Sequence, residues 1–516
     1  MRSSLLNRIT VGSCRRDVGR LLIACALLLA CVVAHADATG VCPRCPPSTE
    51  LTAAQAKEDV QVLKRALAAL HPALTKYRSA TEIDVAFAAF EQRGHAARSA
   101  ADLYLAATEL AAAVRCGHTW TNVLNQHGAA RAALLDPANK LPVQMKLVQG
   151  RWLVRASADA SITRGDEILA VDGVPAKDMV ERLMPYLRAD GSSDGKRLRQ
   201  LDHDRGDYSQ IDILWPLLEP PTDGIYRLTV RRNSGSTAEV RVAAHTLAAR
   251  RMALAAQGAA ELSQAWSFNV EGNLGVLVMP TWSFWRSDFD TDAFIEQAFA
   301  RLTRNQVPNL VIDLRANEGG DGAIGHRLLS HLLDEPITIA RKQNITRYER
   351  VPYSLARYLD TWDFSFFDRT GDVQPIAVGV AAGSYRVESK AAMPSTITPS
   401  ESRYAGRVFV LIGAENSSAT FSFADLVKRS KAATLVGQRT GGNQRGLNGG
   451  QVAWVTAPNS GVAIDIPLLA GDWNASTPDT GVEPDIVVEE RFDAQRSGRD
   501  LEREAVRRAI AGDGSR

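Results

Sequence analysis

Apolar and polar positions change rhythm several times along the chain. From Ala53 to Leu70 apolar residues recur at three- and four-residue spacing, which predicts an amphipathic helix. His71-Pro72 ends it, because proline cannot continue the hydrogen-bond ladder. The same spacing predicts helices over about 83–93 and 100–114, so 48–135 reads as a small helical cap. Past Leu141 the rhythm shortens. Segments 143–147, 152–154, Ile225–Arg231 and 238–242 read as strands, the last two around an Asn233-Ser234-Gly235 turn. Between them 175–221 is too long for a simple loop, and 179–187 has a helical pattern. Residues 140–246 therefore form a β-rich module with an insertion.

From Phe268 onward the pattern is α/β, and a third unit spans 260–490. Leu274–Val278, 309–314 and 408–412 are continuous apolar runs, as expected for parallel strands buried on both faces. Helical patterns follow at 323–333 and 419–430. Residues 338–404 interrupt the unit with an irregular stretch that brings Trp362, Phe364, Phe366 and Phe367 close together. Two strands at hairpin distance, 451–455 and 461–466, and a last strand near Val488 close it. The charged stretch 491–516 reads as a helical tail.

Composition changes this picture little. The chain has 516 residues, 45% apolar and 23% charged, with a formal net charge of +2, so nothing in its electrostatics calls for a nucleic-acid partner. The N-terminus matters more. Arg2, Arg8, Arg15, Arg16 and Arg20 precede the apolar run 21–34, and Ala34-His35-Ala36 offers small residues for cleavage. Residues 1–36 read as a secretory signal, and the mature chain as exported, periplasmic or secreted, with no membrane span left after removal. Lipoprotein processing at Cys31 and a twin-arginine route fit less well. Cys42, Cys45 and Cys116 remain of six cysteines. Cys42-Pro43-Arg44-Cys45 suits a small disulfide, while a metal site lacks the second paired cluster it needs.

Three stretches carry candidate chemistry. Arg115-Cys116-Gly117-His118-Thr119 sits just past a helix and presents an imidazole, which as a general base is matched to neutral pH. A buried or surface histidine without a role is the alternative. Arg315-Ala316-Asn317-Glu318-Gly319-Gly320 follows a strand, and its glycines free backbone N–H groups to face a ligand. It lacks the Gly-Lys-Ser/Thr of a phosphate loop, so no nucleotide and no other cofactor is expected. Glu415-Asn416-Ser417-Ser418-Ala419 makes a strand-to-helix turn, where a serine is either a helix cap or an exposed nucleophile.

Taken together, Gly117-His118-Thr119, Asp313-Leu314-Arg315 with Gly319-Gly320, Ser418-Ala419 with Gly437 and Thr440-Gly441-Gly442, and Gly481-Val482 with Pro484-Asp485 resemble the C-terminal-processing (tail-specific) serine peptidase family. The resemblance covers about 71–488. The string Arg164-Gly165-Asp166-Glu167-Ile168 to Gly173 resembles the core of a PDZ-like domain. The resemblance implies a multidomain α/β fold: a crotonase-like α/β catalytic core, a PDZ-like β module and an N-terminal helical cap. It implies peptide-bond hydrolysis with Ser418 as nucleophile, Ser417 being the alternative. One branch takes a lysine 25 residues later as base, where this chain has Asn443. The chain is instead similar to the tricorn-like branch, which implies His118 as base. The oxyanion donors implied are the N–H groups of Ala419 and of Gly319 or Gly320. The acid implied is Asp479, or Glu483. Gly165, Asp166 and Ile168 are implied to bind peptide on the PDZ-like module, the substrate is a polypeptide, and an oligomer is compatible. The rival readings are an apolar-ligand or peptide binder of the interphotoreceptor-retinoid-binding kind, and a serine esterase.

Overall fold

The computed structural model describes residues 50–513, apart from 205, 207, 257–264, 340–342 and 389–395. The secretory-signal reading and Cys42–Cys45 lie outside the described residues. Helices α1 (Ala53–Leu70), α2 (Ala80–Ala96) and α3 (Ala100–Ala113) follow the apolar spacing. Thr52 and Ser79 cap the first two through reciprocal bonds with Gln55 and Glu82, which satisfy N–H groups that a helix start leaves open. A fourth helix, α4, spans Gly128–Leu135.

Strands β1 (Val143–Val148), β2 (Arg151–Ser157), β3 (Glu167–Val171), β4 (Val174–Pro175), β5 (Ile225–Arg231) and β6 (Thr237–Ala243) form one sheet in the order β1-β2-β3-β5-β6, with β4 also on β3. Helices α5 (Ala176–Leu183), α6 (Asp194–Arg199) and α7 (Gln210–Leu218) occupy the segment between β4 and β5. The three residues implied to bind peptide lie within or beside β3. Ile168 is buried on β3 opposite Trp152 and Val230, so its strand has partners on both sides and no free edge for a peptide. Asp166 is also buried, and its carboxylate accepts from the N–H groups of Thr163 and Asn233 and from Arg232. Gly165 lies so close to Asn233 that a Cβ would fall 2.6 Å from its Oδ1. All three residues make contacts within the sheet and its turns.

The second large sheet carries the strand-end loops. In it β7 (Ser267–Glu271) runs antiparallel to β8 (Leu274–Val278). Strands β9 (Asn309–Asp313), β10 (Arg407–Ile412), β11 (Thr434–Gly437) and β14 (Ile486–Val487) continue it in parallel, in the order β14-β11-β10-β9-β8-β7. Between β11 and β14 the chain makes the antiparallel pair β12 (Val452–Thr456) and β13 (Ala463–Pro467). Residues 408–412 are all buried, as a doubly covered strand requires. Helices α8 (Thr291–Arg304), α9 (Gly322–Ser330) and α10 (Ser418–Ser430) cover one face, with Ile295, Phe299, Leu328, Phe423 and Val427 in the core.

The other face is covered by the C-terminal helix α11 (Leu501–Asp513), whose Ala505 and Val506 pack on Val311, Phe409 and Leu411. The stretch expected to be a charged tail is therefore a core element. Its charge pattern disguised a narrow apolar stripe. Residues 338–404 are also more ordered than their composition predicts. They form short strands, among them Asn344–Thr346, Val373–Pro375 and Tyr385–Val387 in one sheet, and Trp362 stacks edge-on against Phe366 and Trp454. Among the described residues no helix is long and apolar enough to cross a membrane. One apolar core joins α1–α3, the first sheet and the β12–β13 pair, and the described residues cluster as one compact unit.

The packing of α11 predicts a contrast. Val506→Ala, which empties a fully buried site, should cost about 1.5–3 kcal/mol. Arg508→Ala, at an exposed position of the same helix, should change stability by less than about 0.5 kcal/mol. Urea denaturation midpoints of the two variants check this.

Candidate active site

In a parallel sheet the loops at the carboxyl ends of adjacent strands lie side by side, and such crevices bind ligands. Here β9 and β10 are neighbours in register, Leu411 opposite Asp313, so loop 314–321 and turn 413–418 meet. Asn416 joins them. It is fully buried; its Nδ2 donates to the carbonyls of Leu314 and Asn317 (2.9 Å to the latter), and its Oδ1 accepts from Gly413 N at 2.8 Å. Its own carbonyl takes the N–H groups of Gly441 and Gly442. A Cβ at Gly442 would run into the Phe421 ring, so the glycine pair is a packing requirement. Thr440 exchanges two hydrogen bonds with Val482, which ties down the Gly-Val-x-Pro-Asp string.

The turn leaves Ser418 in the left-handed region, φ 51°, at the first residue of α10. A non-glycine residue held there stores about 1–3 kcal/mol, and it does so only where its surroundings enforce it. Ser417 does not share this geometry: it has extended backbone, and its Oγ donates to Glu318 O at 3.0 Å. Both serines are half-buried, and Ser418 alone stands on the strained turn.

His118 Nε2 lies 3.3 Å from Ser418 Oγ, across 300 residues of sequence. For Nε2 to accept from the hydroxyl, the ring proton must sit on Nδ1. That Nδ1 is shielded from solvent and has no hydrogen-bond partner among the described residues. Burial pushes the imidazole pKa below its usual value; Asp190 opposes the shift, Arg188 adds to it, and Glu318 and Lys196 act more weakly in opposite senses. Gly449 closes over the ring, where a Cβ would sit 3.3 Å from Nε2.

The carboxylates expected to orient His118 point elsewhere. Asp479 Oδ1 accepts from Ser192 N at 2.9 Å and from Asn443 Nδ2 at 2.6 Å. Glu483 pairs with Arg439 at the surface. Their loop is pinned to Thr440 and to the insertion of the first sheet, away from the ring. Asn443, at the position where a lysine base would stand, is fully buried and spent on Asp479 and on Arg445 N. Lys428 pairs with Asp485. Cys116 is a buried free thiol accepting from Asn448 Nδ2, and burial pushes its pKa up.

Two of the residues implied as backbone donors, Ala419 and Gly319, lie beside Ser418. Ala419 opens α10, where N–H groups have no intrahelical acceptor. Gly319, φ 117°, passes so close that a Cβ would lie 2.8 Å from Ser418 Cβ and 3.0 Å from Ala419 N. Its own N–H is given to Asn317 Oδ1 at 2.8 Å. Three charged residues that the sequence did not single out come from the first sheet's insertion. Lys196 is buried against Glu318 and Glu415, Arg188 stacks 3.8 Å from the Trp120 ring and donates to Gly117 O, and Asp190 accepts from Gly117 N. No sequence motif marks them, because only folding brings them to the histidine. Among the described residues no cluster of His, Cys, Asp or Glu is arranged to hold a metal ion.

The profile of peptidase family S41 matches residues 273–488, which take in the second sheet apart from β7, and both strand-end loops. The α/β domain belongs to peptidase family S41. That is a family of serine-type peptidases acting on polypeptides, and its fold here carries the Ser418 turn. Mature CPAF complexed with lactacystin is similar in fold, with a TM-score of 0.58 at 18% identity, over 86% of this chain and 95% of that one. Mature CPAF gives 0.55 at 18% identity, over 86% and 94%. The photosystem II D1 C-terminal processing protease aligns at 15% identity over 85% and 94%, with a TM-score of 0.37. No curated protein matches the sequence.

The tight approach of Gly319 to Ser418 generates a prediction. Gly319→Ala places a Cβ into Ser418 at a φ that alanine resists, so fluorophosphonate labelling of Ser418 should slow at least about tenfold. Gly322→Ala, with open space around its Cβ, should label at the wild-type rate.

Proposed function

We propose that the protein is an exported serine endopeptidase working by acyl-enzyme chemistry, with Ser418 as nucleophile and His118 as general base. The observation that carries the reading is the 3.3 Å approach of His118 Nε2 to the hydroxyl of a serine held at φ 51° on a strand-to-helix turn. A serine hydroxyl at its own pKa is a weak nucleophile and needs a base within hydrogen-bond reach. His118 takes its proton as Oγ attacks the scissile carbonyl, and returns it to the leaving amine when the tetrahedral intermediate collapses. Water then repeats the sequence on the acyl-enzyme. The oxyanion lies between the N–H groups of Ala419 and Gly320; one such donor contributes about 3–4 kcal/mol to transition-state binding.

Export rests on the basic, then apolar, then small-residue order of the first 36 residues. The first sheet is read as a PDZ-like module. Its outer strand β6 has one side without a strand partner, on which an extended chain adds, whereas along β1 the outward backbone groups of Met145 and Leu147 are taken by His203, Asp202 and Arg199.

The pH dependence follows from the histidine. The base works as neutral imidazole, so activity falls as pH drops through the His118 pKa. Burial sets that pKa below the usual imidazole value, and the acid limb of the rate profile should therefore lie below about pH 6.5. Ser418→Ala should take no fluorophosphonate and cleave no peptide. His118→Ala should lose at least about a thousandfold in kcat with stability little changed. Wild type that folds but takes no probe would put an apolar-ligand binder in place of the peptidase. Turnover of small esters without peptides would make it an esterase.

A further inference from the structure

We propose that Asp190, in the insertion of the first sheet, is the acidic positioning residue for His118, in place of the carboxylates of loop 479–485. The inference rests on the serine peptidase reading of Ser418 and His118.

A histidine that takes a proton becomes a cation, and a buried cation needs a negative charge nearby. Neither Asp479 nor Glu483 bonds to the ring; their partners are Ser192 and Asn443, and Arg439. Asp190 is placed differently. It is 1% exposed, and its Oδ1 accepts from the N–H of Gly117, the residue just before His118, at 2.9 Å. Its Oδ2 lies 2.7 Å from where a Gly117 Cβ would be, so the carboxylate rests directly on the histidine turn. That contact explains the glycine of the Gly-His-Thr string, since a side chain there would displace the acid.

The segment around Asp190 grips the same turn from several sides. Arg188 donates to Gly117 O, Gly191 N donates to Arg115 O at 3.0 Å, and Arg115 Nη1 donates to Gly191 O at 3.1 Å. Backbone bonds to 115–117 thus hold the imidazole at Ser418 without a partner on Nδ1. Among the charges acting on the ring, Asp190 is the strongest, ahead of Arg188, Glu318 and Lys196. On its other sides Asp190 faces the Tyr77 hydroxyl, the Cys116 thiol and Arg197, with Arg115 and Asp479 beyond them. Buried among them, the carboxylate acts on His118 through a medium that screens charge far less than water does.

The test is the pH dependence of fluorophosphonate labelling in wild type, Asp190→Asn and Asp479→Asn. Asparagine keeps an Oδ1 acceptor for Gly117 N–H, so Asp190→Asn removes the charge and leaves the clamp. The expected result is an acid limb moved to lower pH and a plateau rate reduced about tenfold in Asp190→Asn. Asp479→Asn should keep the wild-type limb. Asp190→Glu, which retains the charge, should restore the limb position. A wild-type limb and plateau in Asp190→Asn, or a limb that moves in Asp479→Asn instead, overturns the proposal. If Asp190→Asn does not fold, the His118 titration followed by NMR in Ser418→Ala, with and without Asp190→Ser, decides: a pKa lowered by loss of the carboxylate supports the proposal, and an unchanged one overturns it. Wild type that takes no probe overturns the peptidase reading itself, a result distinct from either.

Discussion

The site depends on the side chain of Asn416. Two neighbouring parallel strands end in separate loops, and nothing in a sheet by itself fixes the distance between such loops. Asn416 fixes it with donors to Leu314 O and Asn317 O and an acceptor for Gly413 N, while its carbonyl anchors Gly441 and Gly442. Every one of these groups is away from water, so each unmade bond would cost about 1–3 kcal/mol. The turn therefore has one acceptable conformation, and that conformation throws the next residue but one, Ser418, into left-handed backbone. Asn317, also fully buried, extends the same bracing to Met279 O and Gly319 N.

Strain at Ser418 is affordable because the helix behind it is deeply seated. Phe421, Phe423, Leu426 and Val427 of α10 are buried beside α9, and Trp282 meets Phe423 edge to face at 5.7 Å. A few buried aromatic and aliphatic side chains, each contributing about 1.5–3 kcal/mol, exceed the strain of one backbone outlier. On the opposite face, Val506 and Ala505 of α11 fill against Phe409 and Leu411, and Arg315 joins that helix through Asp500 and Glu502. Strands β9 and β10 are thus held on both faces, and the loops at their ends inherit that rigidity.

The histidine reaches this site from outside the α/β domain. Its turn follows α3, and Trp120, two residues on, exchanges backbone bonds with Asp465 of the β12–β13 pair. The insertion of the first sheet supplies the remaining contacts, with Lys196 buried between Glu318 and Glu415 and Ser192 holding Asp479. Cap, first sheet and α/β domain consequently meet at one point, and the charge environment of the base is set by residues from all three.

The periodic segments were legible in the sequence: α1–α3, the strands around 143–243, and the continuous apolar runs of the second sheet follow directly from spacing, because local burial dictates it. So were the Ser418 turn and the Gly117-His118 turn, since a special backbone needs special residues wherever it occurs. Other features were not. Stretch 491–516 looked like a charged helical tail because its apolar stripe is narrow, and strand pattern does not say that β3 lies inside its sheet. Asp479 was expected at the ring from its place in a motif, yet Asn443 and Ser192 claim it. Asp190, Arg188 and Lys196 had no local signal at all. The sequence by itself determined which residues could perform the chemistry, through the backbone each turn demands. Only the tertiary structure decided which charges surround them, because Coulomb interactions depend on distance in space and the partners lie 71 to 300 positions apart in the chain.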